Sequence, residues 1–315
     1  MTVGQISGVL GAAARRIAGA VAVLLGAATV AFAALQLLPG DPVSVMLGPG
    51  TAATPEVKAR IRDQFGLDQP LPVQYLHYLG RLLSGDLGES YQLQRPVAGL
   101  IADQFWPTVQ LAVAAVLLAL LLAVLGTVAT AGRRPVLRAL TTLVELVSVA
   151  SPSYWTGILL LTAFSFQLRL FPVAGDGDPS ALVLPALTLA LPMVGVLGQV
   201  LREGLENALG QPFVLTARSR GLGETAVLLR HALRHAALPA VTLSGWLTGS
   251  VLGGAVLVET VFGRPGIGAL TLQAATNKDM PLLIGLVLLA AAVFVLISTA
   301  VDLLYLAIDP RLRTR

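Results

Sequence analysis

The chain has 315 residues, of which 55% are hydrophobic and only 12% are charged. A soluble globular protein carries about 25% charged residues, so much of this chain's surface is not expected to face water. The absence of cysteine excludes disulfide bonds, thiolate catalysis and cysteine-bound zinc within these residues. The formal net charge of +4 comes from arginines that flank apolar segments. No basic stripe with interleaved aromatic residues accompanies it, so we expect no nucleic-acid partner.

Six apolar blocks follow one another along the chain, each close to or above the roughly 20 residues that a helix needs to cross a bilayer. Backbone N–H and C=O groups find no water in the hydrocarbon core, so each block is predicted to be a helix. The first block ends in Leu-Leu-Pro-Gly-Asp and lacks a small-residue cleavage site, which favours a retained helix over a signal peptide. The blocks are 17–38, 107–131, 140–166, 182–201, 238–261 and 282–308. The predicted fold class is an all-α membrane protein with six transmembrane helices.

The orientation of these helices follows from the basic residues of the loops, because cytoplasmic loops are rich in lysine and arginine. With the N-terminus inside, the short outer loops carry only Arg169, Arg264 and Lys278. The predicted inner segments carry Arg15, Arg16, Arg133, Arg134, Arg138, Arg202, Arg218, Arg220, Arg230, Arg234, Arg311, Arg313 and Arg315. Both termini are therefore predicted to be cytoplasmic.

The long first loop, 39–106, is expected to contain structure of its own. Thr54 and Pro55 form a helix start, and apolar residues then recur at four-residue spacing up to Phe65. A second helix is predicted over 72–83. These two helices predict a small extracytoplasmic helical loop, and both packing on the rest of the chain and contact with an external partner remain open for it.

Several kinds of chemistry have no sequence support. The two lysines, Lys58 and Lys278, do not lie in a phosphate-binding loop, so the chain is not expected to bind ATP through one. His231 and His235 are four residues apart, but they lack further ligands, and no metal site is predicted. The acidic residues of the apolar blocks lie near helix ends, where charge is less costly, and no proton relay is visible. These residues are Glu145, Glu259 and Asp302.

The segment 210–239 is too polar to span a membrane and too apolar to be a free loop. Its pattern predicts a short helix, a turn at 221–223, and a second amphipathic helix that re-enters the membrane at Leu238 and Pro239. Such an element can dock into another protein and transmit movement. An interfacial helix lying on lipid headgroups is the alternative.

Motifs along nearly the whole chain resemble those of one family. In order, they are Leu38–Pro42, Phe65–Tyr75, Gly85–Ser90, Pro152–Gly157, Thr216–Leu222, His231–Arg234, Glu259–Gly268, Asp302–Tyr305 and Asp309–Arg311. They resemble the dipeptide, oligopeptide and nickel branch of type I ATP-binding-cassette (ABC) importer permeases. The long first loop resembles that of the B-type subunit. The chain departs from the branch at Leu215, where a basic residue is usual.

The resemblance implies a complex with a second permease subunit, two ABC ATPase subunits that bind ATP and Mg, and an extracytoplasmic substrate-binding protein. It implies no cofactor or catalytic site in this chain. It divides the chain into a first helix (1–38), an extracytoplasmic loop (39–106), a permease core (107–309) with a coupling segment (210–237), and a cytoplasmic tail (310–315).

The candidate site residues fall into three groups. ATPase coupling is assigned to Leu215, Thr216, Ala217, Arg218, Gly221, Leu222 and Gly223. Binding-protein docking is assigned to Phe65, Leu67, Asp68 and Asp86. Candidate pathway residues are Tyr154, Trp155, Gln199 and Trp246, for which packing is the alternative.

The substrate expected from the resemblance is a di- or oligopeptide, with nickel–chelator complexes, glutathione and oligosaccharides as alternatives. Two other classes of protein predict different sequence patterns. A stand-alone secondary transporter would need an ion relay, and a membrane-embedded enzyme would need clustered catalytic side chains. The sequence shows neither pattern.

Overall fold

The computed structural model of the chain describes residues 3–37, 43, 54–65, 68–90, 92–130 and 135–308, and these are predominantly helical. The helices are α1 (Val3–Leu37), α2 (Pro55–Phe65), α3 (Leu71–Leu83), α4 (Val97–Thr130), α5 (Pro135–Ala150), α6 (Ser153–Leu160), α7 (Val183–Leu209), α8 (Pro212–Ser219), α9 (Leu233–Val261), α10 (Ile267–Thr276) and α11 (Met280–Ile308). A two-stranded antiparallel hairpin, β1 (Glu89–Ser90) and β2 (Arg95–Pro96), precedes α4.

Four of the described helical segments are long and apolar enough to cross a membrane: 15–34, 97–130, 179–209 and 280–301. A fifth arises if α5 and the segment Ser153–Gln167 count as one span. The predicted block 238–261 lies in α9, where several side chains are outside the described part. The predictions of helices at 182–201 and 282–308 are confirmed, and so is that at 17–38 as far as Leu37, the last residue described there.

The prediction of one continuous helix over 140–166 is wrong, because α5 and the following helical segment meet at 111°. Ser151 donates the last hydrogen bond to Val147, and Pro152 then adopts an extended backbone with ψ 132°. Proline lacks an N–H and disfavours helical geometry in the residue before it, so the helix ends there. The segment 161–167 continues α6 as a wide π-type turn.

The loop between α1 and α4 contains the two predicted helices, with α2 beginning at Pro55 and α3 ending at Leu83. The sequence did not predict the hairpin or α10. It also placed the start of the second apolar block at Pro107, ten residues after α4 begins. Asp103 interrupts the apolar pattern there, but its carboxylate pairs with Arg95 Nη2 at 2.8 Å on the helix surface.

The chain divides into two compact units, one formed by Met1–Trp106 with Leu270–Thr299 and the other by Pro107–Ala269 with Ala300–Arg315. In the first unit, α11 comes so close to the start of α4 that a Cβ at Gly285 would lie 2.5 Å from Val97 Cγ1. The Ser90 hydroxyl donates to the Asp279 carboxylate and fastens the hairpin to the residue before α11.

The core of the second unit is formed by one face of α4 packed against α7 and α9. Leu111, Ala115, Ala119 and Ala123 recur every four residues along α4 and are fully buried or nearly so. Small side chains at this spacing allow neighbouring helices to approach closely, as is common in membrane bundles. The same core includes Leu197 of α7 and Val258 of α9.

Candidate functional site

A short helix, α8, leaves the end of α7 and is fixed by its apolar side. Val214 and Ala217 of α8 are buried against Val227. Val227 lies in the helical run that leads into α9. The ring of Phe213 packs on the ring of His235 with centroids 4.8 Å apart. The predicted short helix is therefore present, and it is held against the base of α9.

The predicted turn at 221–223 follows α8 and has the hydrogen bonds of a Schellman motif. Leu222 N–H donates to Ala217 O at 3.2 Å, and Gly221 N–H donates to Arg218 O at 2.9 Å. Gly221 has φ +80°, a left-handed conformation in which glycine carries no steric cost. Leu222 packs on the Val214 cluster. This motif fixes where α8 ends and where the chain turns back.

The opposite side of α8 is exposed. Leu215 is 71% exposed, Thr216 and Arg218 beside it are also exposed, and Arg218 Nε pairs with Glu224 Oε1 at 2.9 Å. Ala217 and Leu222, which were predicted with them, face inward and hold the helix in place. The surface therefore combines an apolar side chain with basic groups.

The segment is tied to both long helices that flank it. Leu205 and Ala208 of α7 form a buried cluster with Ala236 of α9 and with Ala232, the residue before α9. A Cβ at Gly204 of α7 would lie 3.0 Å from Ala236 Cα, so the two backbones are in near contact. Packed atoms therefore connect α8 to both α7 and α9.

A buried ion pair joins α5 to α7, and the sequence did not predict it. Arg202 Nη2 donates to Glu145 Oε1, and Arg202 Nη1 donates to Thr141 Oγ1 at 3.0 Å. Both charged side chains are almost entirely buried. Gly195 and Gly198 of α7 make this approach possible, since a Cβ at Gly198 would lie 2.7 Å from Glu145 Oε1.

A second buried carboxylate, Glu259, accepts hydrogen bonds at the N-terminus of α10. The Thr108 hydroxyl donates to Glu259 Oε1 at 2.6 Å, and Ala269 N–H donates to Glu259 Oε2 at 3.0 Å. Thr108 Oγ1 also accepts Ile267 N–H at 2.8 Å. A carboxylate at a helix N-terminus is favoured by the unpaired N–H groups and the helix dipole. Glu259 thus joins α4, α9 and α10 within the second unit.

The structure separates the candidate pathway residues. Tyr154 and Trp155 are half-exposed beside the bend at Pro152 and line a shallow cavity of about 430 Å³ with Val147, Ala150 and Ser151. Gln199 is exposed on α7 and does not line that cavity. The side chain of Trp246 is outside the described part.

The candidate docking residues have different environments. Asp68 is exposed. Asp86 Oδ2 pairs with Arg81 Nε at 2.9 Å, and Asp86 Oδ1 accepts Gly88 N–H at 2.8 Å. These hydrogen bonds hold the pKa of the Asp86 carboxyl below its usual value. The side chain of Phe65 and all of Leu67 are outside the described residues.

Both family models that match the chain describe membrane components of binding-protein-dependent transport systems. Residues 115–314 match the binding-protein-dependent transport system inner membrane component. Residues 10–112 match the N-terminal part of binding-protein-dependent transport system membrane components.

Curated relatives cover nearly the whole chain. The glutathione transport system permease protein GsiC of Salmonella typhimurium is 37% identical over 300 residues, which are 95% of this chain and 97% of that protein. A Brucella suis protein that carries the name of a peptide permease is 36% identical over 302 residues, 92% of this chain and 95% of that protein.

Solved structures with the same fold are ABC transporters. An inward-facing structure of the MetNI methionine ABC transporter matches with a TM-score of 0.55 and 16% identity, covering 67% of this chain and 97% of that chain. An amino acid ABC transporter with histidines matches with a TM-score of 0.52 and 16% identity, over 66% of this chain and 93% of that chain. The all-helical fold is therefore that of type I ABC importer permeases.

Proposed function

Because the chain belongs to the family of binding-protein-dependent transport system inner membrane components and is a permease subunit of an ABC importer, we propose that its substrates are short peptides, glutathione among them. The observation that carries this proposal is the similarity, over at least nine tenths of the chain, to relatives named for glutathione and peptide transport. Glutathione is itself a tripeptide, so one pathway chemistry would serve both. The chain would form half of the pathway.

We further propose six membrane spans with both termini in the cytoplasm. Four segments and the bent pair at Pro152 have the length and apolarity of spans, and α9 supplies the sixth. The clustering of arginines near one end of these helices supports the orientation. The 315 residues contain no cysteine, so single cysteines report accessibility directly. In intact cells, Asp68→Cys should react with a membrane-impermeant thiol reagent and Ser219→Cys should not. The reverse pattern would refute the orientation.

We propose that α8 is the point where an ATPase subunit grips the chain. Leu215, Thr216 and Arg218 would form the contact, and the turn at Gly221 would keep it in position. The sequence has no phosphate-binding loop. Energy would therefore come from the hydrolysis of ATP, which two partner ATPases would bind together with Mg. Closure of the ATPase pair would push α8. The buried clusters that connect α8 to α7 and α9 would transmit this displacement to the membrane helices.

The remaining proposed partners are a second permease subunit and an extracytoplasmic substrate-binding protein. The exposed loop around Asp68 is available for that binding protein. The exposed aromatic side chains Tyr154 and Trp155 are proposed to face the pathway, where their rings could contact peptide side chains.

Reconstitution of the complete complex in liposomes tests the substrate. We expect ATP-dependent uptake of labelled glutathione or dipeptide that requires the binding protein. The control is the same liposomes with a non-hydrolysable ATP analogue. Uptake of a nickel–chelator complex or an oligosaccharide, with none of either peptide, would refute the peptide proposal. Uptake without ATPase subunits would overturn the coupling mechanism.

A further inference from the structure

Helix α3 has an apolar face that is not buried by the part of the chain that the structure describes. Leu76 is 65% exposed and Leu83 is 89% exposed, and no residue of α3 is buried. An 89% exposed leucine forgoes nearly all of the favourable free energy of apolar burial. A contiguous apolar face of this kind indicates a contact with another molecule.

A different face of α3 packs on α1. The Tyr75 hydroxyl and Thr29 Oγ1 are 2.6 Å apart and share a hydrogen bond. The ring of Phe32 lies 5.2 Å from the ring of Tyr75 and 5.6 Å from that of Tyr78. These contacts place α3 beside the end of α1 that is distant from Arg15.

The contact positions on α1 give the depth of α3. Thr29 and Phe32 both lie within the apolar segment 15–34, one of the candidate membrane spans. At 1.5 Å per residue, Phe32, which contacts both tyrosine rings, lies about 9 Å before the end of the apolar block 17–38. Interfacial helices bury their apolar face roughly 5–10 Å into the boundary between headgroups and acyl chains. Helix α3 therefore lies at the depth of a membrane interface.

The residues of α3 fall into three sectors. At about 100° per residue, Leu76, Leu79 and Leu83 lie about 100° to one side of the direction of Tyr75 and Tyr78. The polar side chains of α3 lie about 110° to the other side of it. They are Gln74, His77 and Arg81. A helix held sideways against a membrane span, with one apolar and one polar free face, fits a boundary between lipid and water.

We propose that α3 is an interfacial helix whose face of Leu76, Leu79 and Leu83 inserts into the lipid leaflet on the side of the first loop. Val21 and Val30 of α1, in the candidate span against which α3 packs, are exposed as well. Two tyrosines mark the same level, as aromatic belts do at membrane interfaces. The proposal rests on α1 spanning the membrane and is independent of the transported substrate. In consequence, the bilayer surface anchors the first loop.

Single-cysteine labelling of the complete complex in nanodiscs tests this proposal. A polarity-sensitive fluorophore is attached at Leu76→Cys, at Leu83→Cys, or at the control His77→Cys on the polar face. We expect the labels at positions 76 and 83 to emit at shorter wavelength and to be quenched by lipids with a nitroxide near the top of the acyl chain. The label at position 77 should be quenched by iodide in water. A Leu83→Glu background should reduce lipid quenching of the label at position 76.

Two outcomes would overturn the proposal. In the first, labels at positions 76, 77 and 83 are quenched equally by iodide and not by lipid nitroxides. In the second, the label at position 83 is accessible to iodide until the binding protein is added, which would make this face a protein docking surface.

Discussion

The buried pair of Glu145 and Arg202 makes a quantitative prediction for the contact between α5 and α7. Removing one partner of a buried ion pair typically costs about 3–5 kcal/mol, because it leaves an uncompensated charge. Among the described residues, Arg202 is the only hydrogen-bond partner of the Glu145 side chain, whose Oε2 is buried without one. Arg202 also donates to Thr141 and Thr130. Loss of the arginine should therefore be the more damaging change.

The predicted magnitudes differ between three variants. Arg202→Met should lower the free energy of unfolding by about 3–5 kcal/mol. Glu145→Gln keeps an acceptor for Arg202 and should cost about 1.5–3 kcal/mol, the worth of a hydrogen bond to a charged group. The double variant carries no buried charge at this site. It should be more stable than Arg202→Met alone, with a coupling free energy of about 1–3 kcal/mol.

The assay is denaturation of the purified chain in mixed micelles, with the free energy of unfolding compared across the double-mutant cycle. Arg138→Met is the matched control, because Arg138 pairs with Glu206 between the same two helices at 2.9 Å on an exposed surface. An exposed pair contributes at most about 1 kcal/mol. Equal losses for Arg202→Met and Arg138→Met, or strict additivity in the double variant, would refute the reasoning.

Three further predictions concern single residues. Gly221→Val should cost roughly 1–2 kcal/mol because φ is +80°, and should abolish uptake without preventing insertion. The control Gly177→Val lies outside the coupling segment, where φ is not left-handed and a Cβ would meet nothing within 4 Å, so it should transport normally. Equal uptake by both variants would contradict this. Gly266→Ala would press a methyl group against the Glu259 carboxylate and should destabilise the chain by about 1–3 kcal/mol, seen as a lower thermal midpoint. The Arg81 guanidinium and the Gly88 N–H lower the pKa of the Asp86 carboxyl. The ionised carboxylate therefore stabilises its turn fully above pH ~4, and this stabilisation is lost as the pH falls through the lowered pKa. Amide exchange in the turn, corrected for intrinsic rate, should rise on acidification, but not in Asp86→Asn.

Local signals in the sequence predicted the elements that depend on neighbouring residues. Pro55 and the four-residue spacing that follows it predicted α2, and the apolar pattern up to Leu83 predicted α3. The turn at Gly221 was also predictable, since a glycine after a short helix is typical of a left-handed C-terminal turn. Composition alone predicted the helical membrane class.

Features that depend on distant residues were not predictable from one sequence. Glu145 and Arg202 are 57 residues apart and Thr108 and Glu259 are 151 apart, so only the folded bundle shows that they are partners. The sequence placed both acids near helix ends, where charge is less costly, and gave no sign of their burial. The sequence does carry one relevant signal. Gly195 and Gly198 are three residues apart on one face of α7, a spacing that allows another helix to approach closely. From the sequence, one helix was expected through Pro152, because membrane helices often continue through proline.

The most direct test of the central claim, that α8 couples this permease to ATPase subunits, is transport by a Leu215→Asp variant in the complete complex. Leu215 is 71% exposed, so the substitution leaves the packing of the chain itself intact and alters only the proposed contact. We predict normal membrane insertion and pairing with the second permease, weakened retention of the ATPases on purification, and loss of ATP-driven uptake. Wild-type uptake with full ATPase retention would contradict the account.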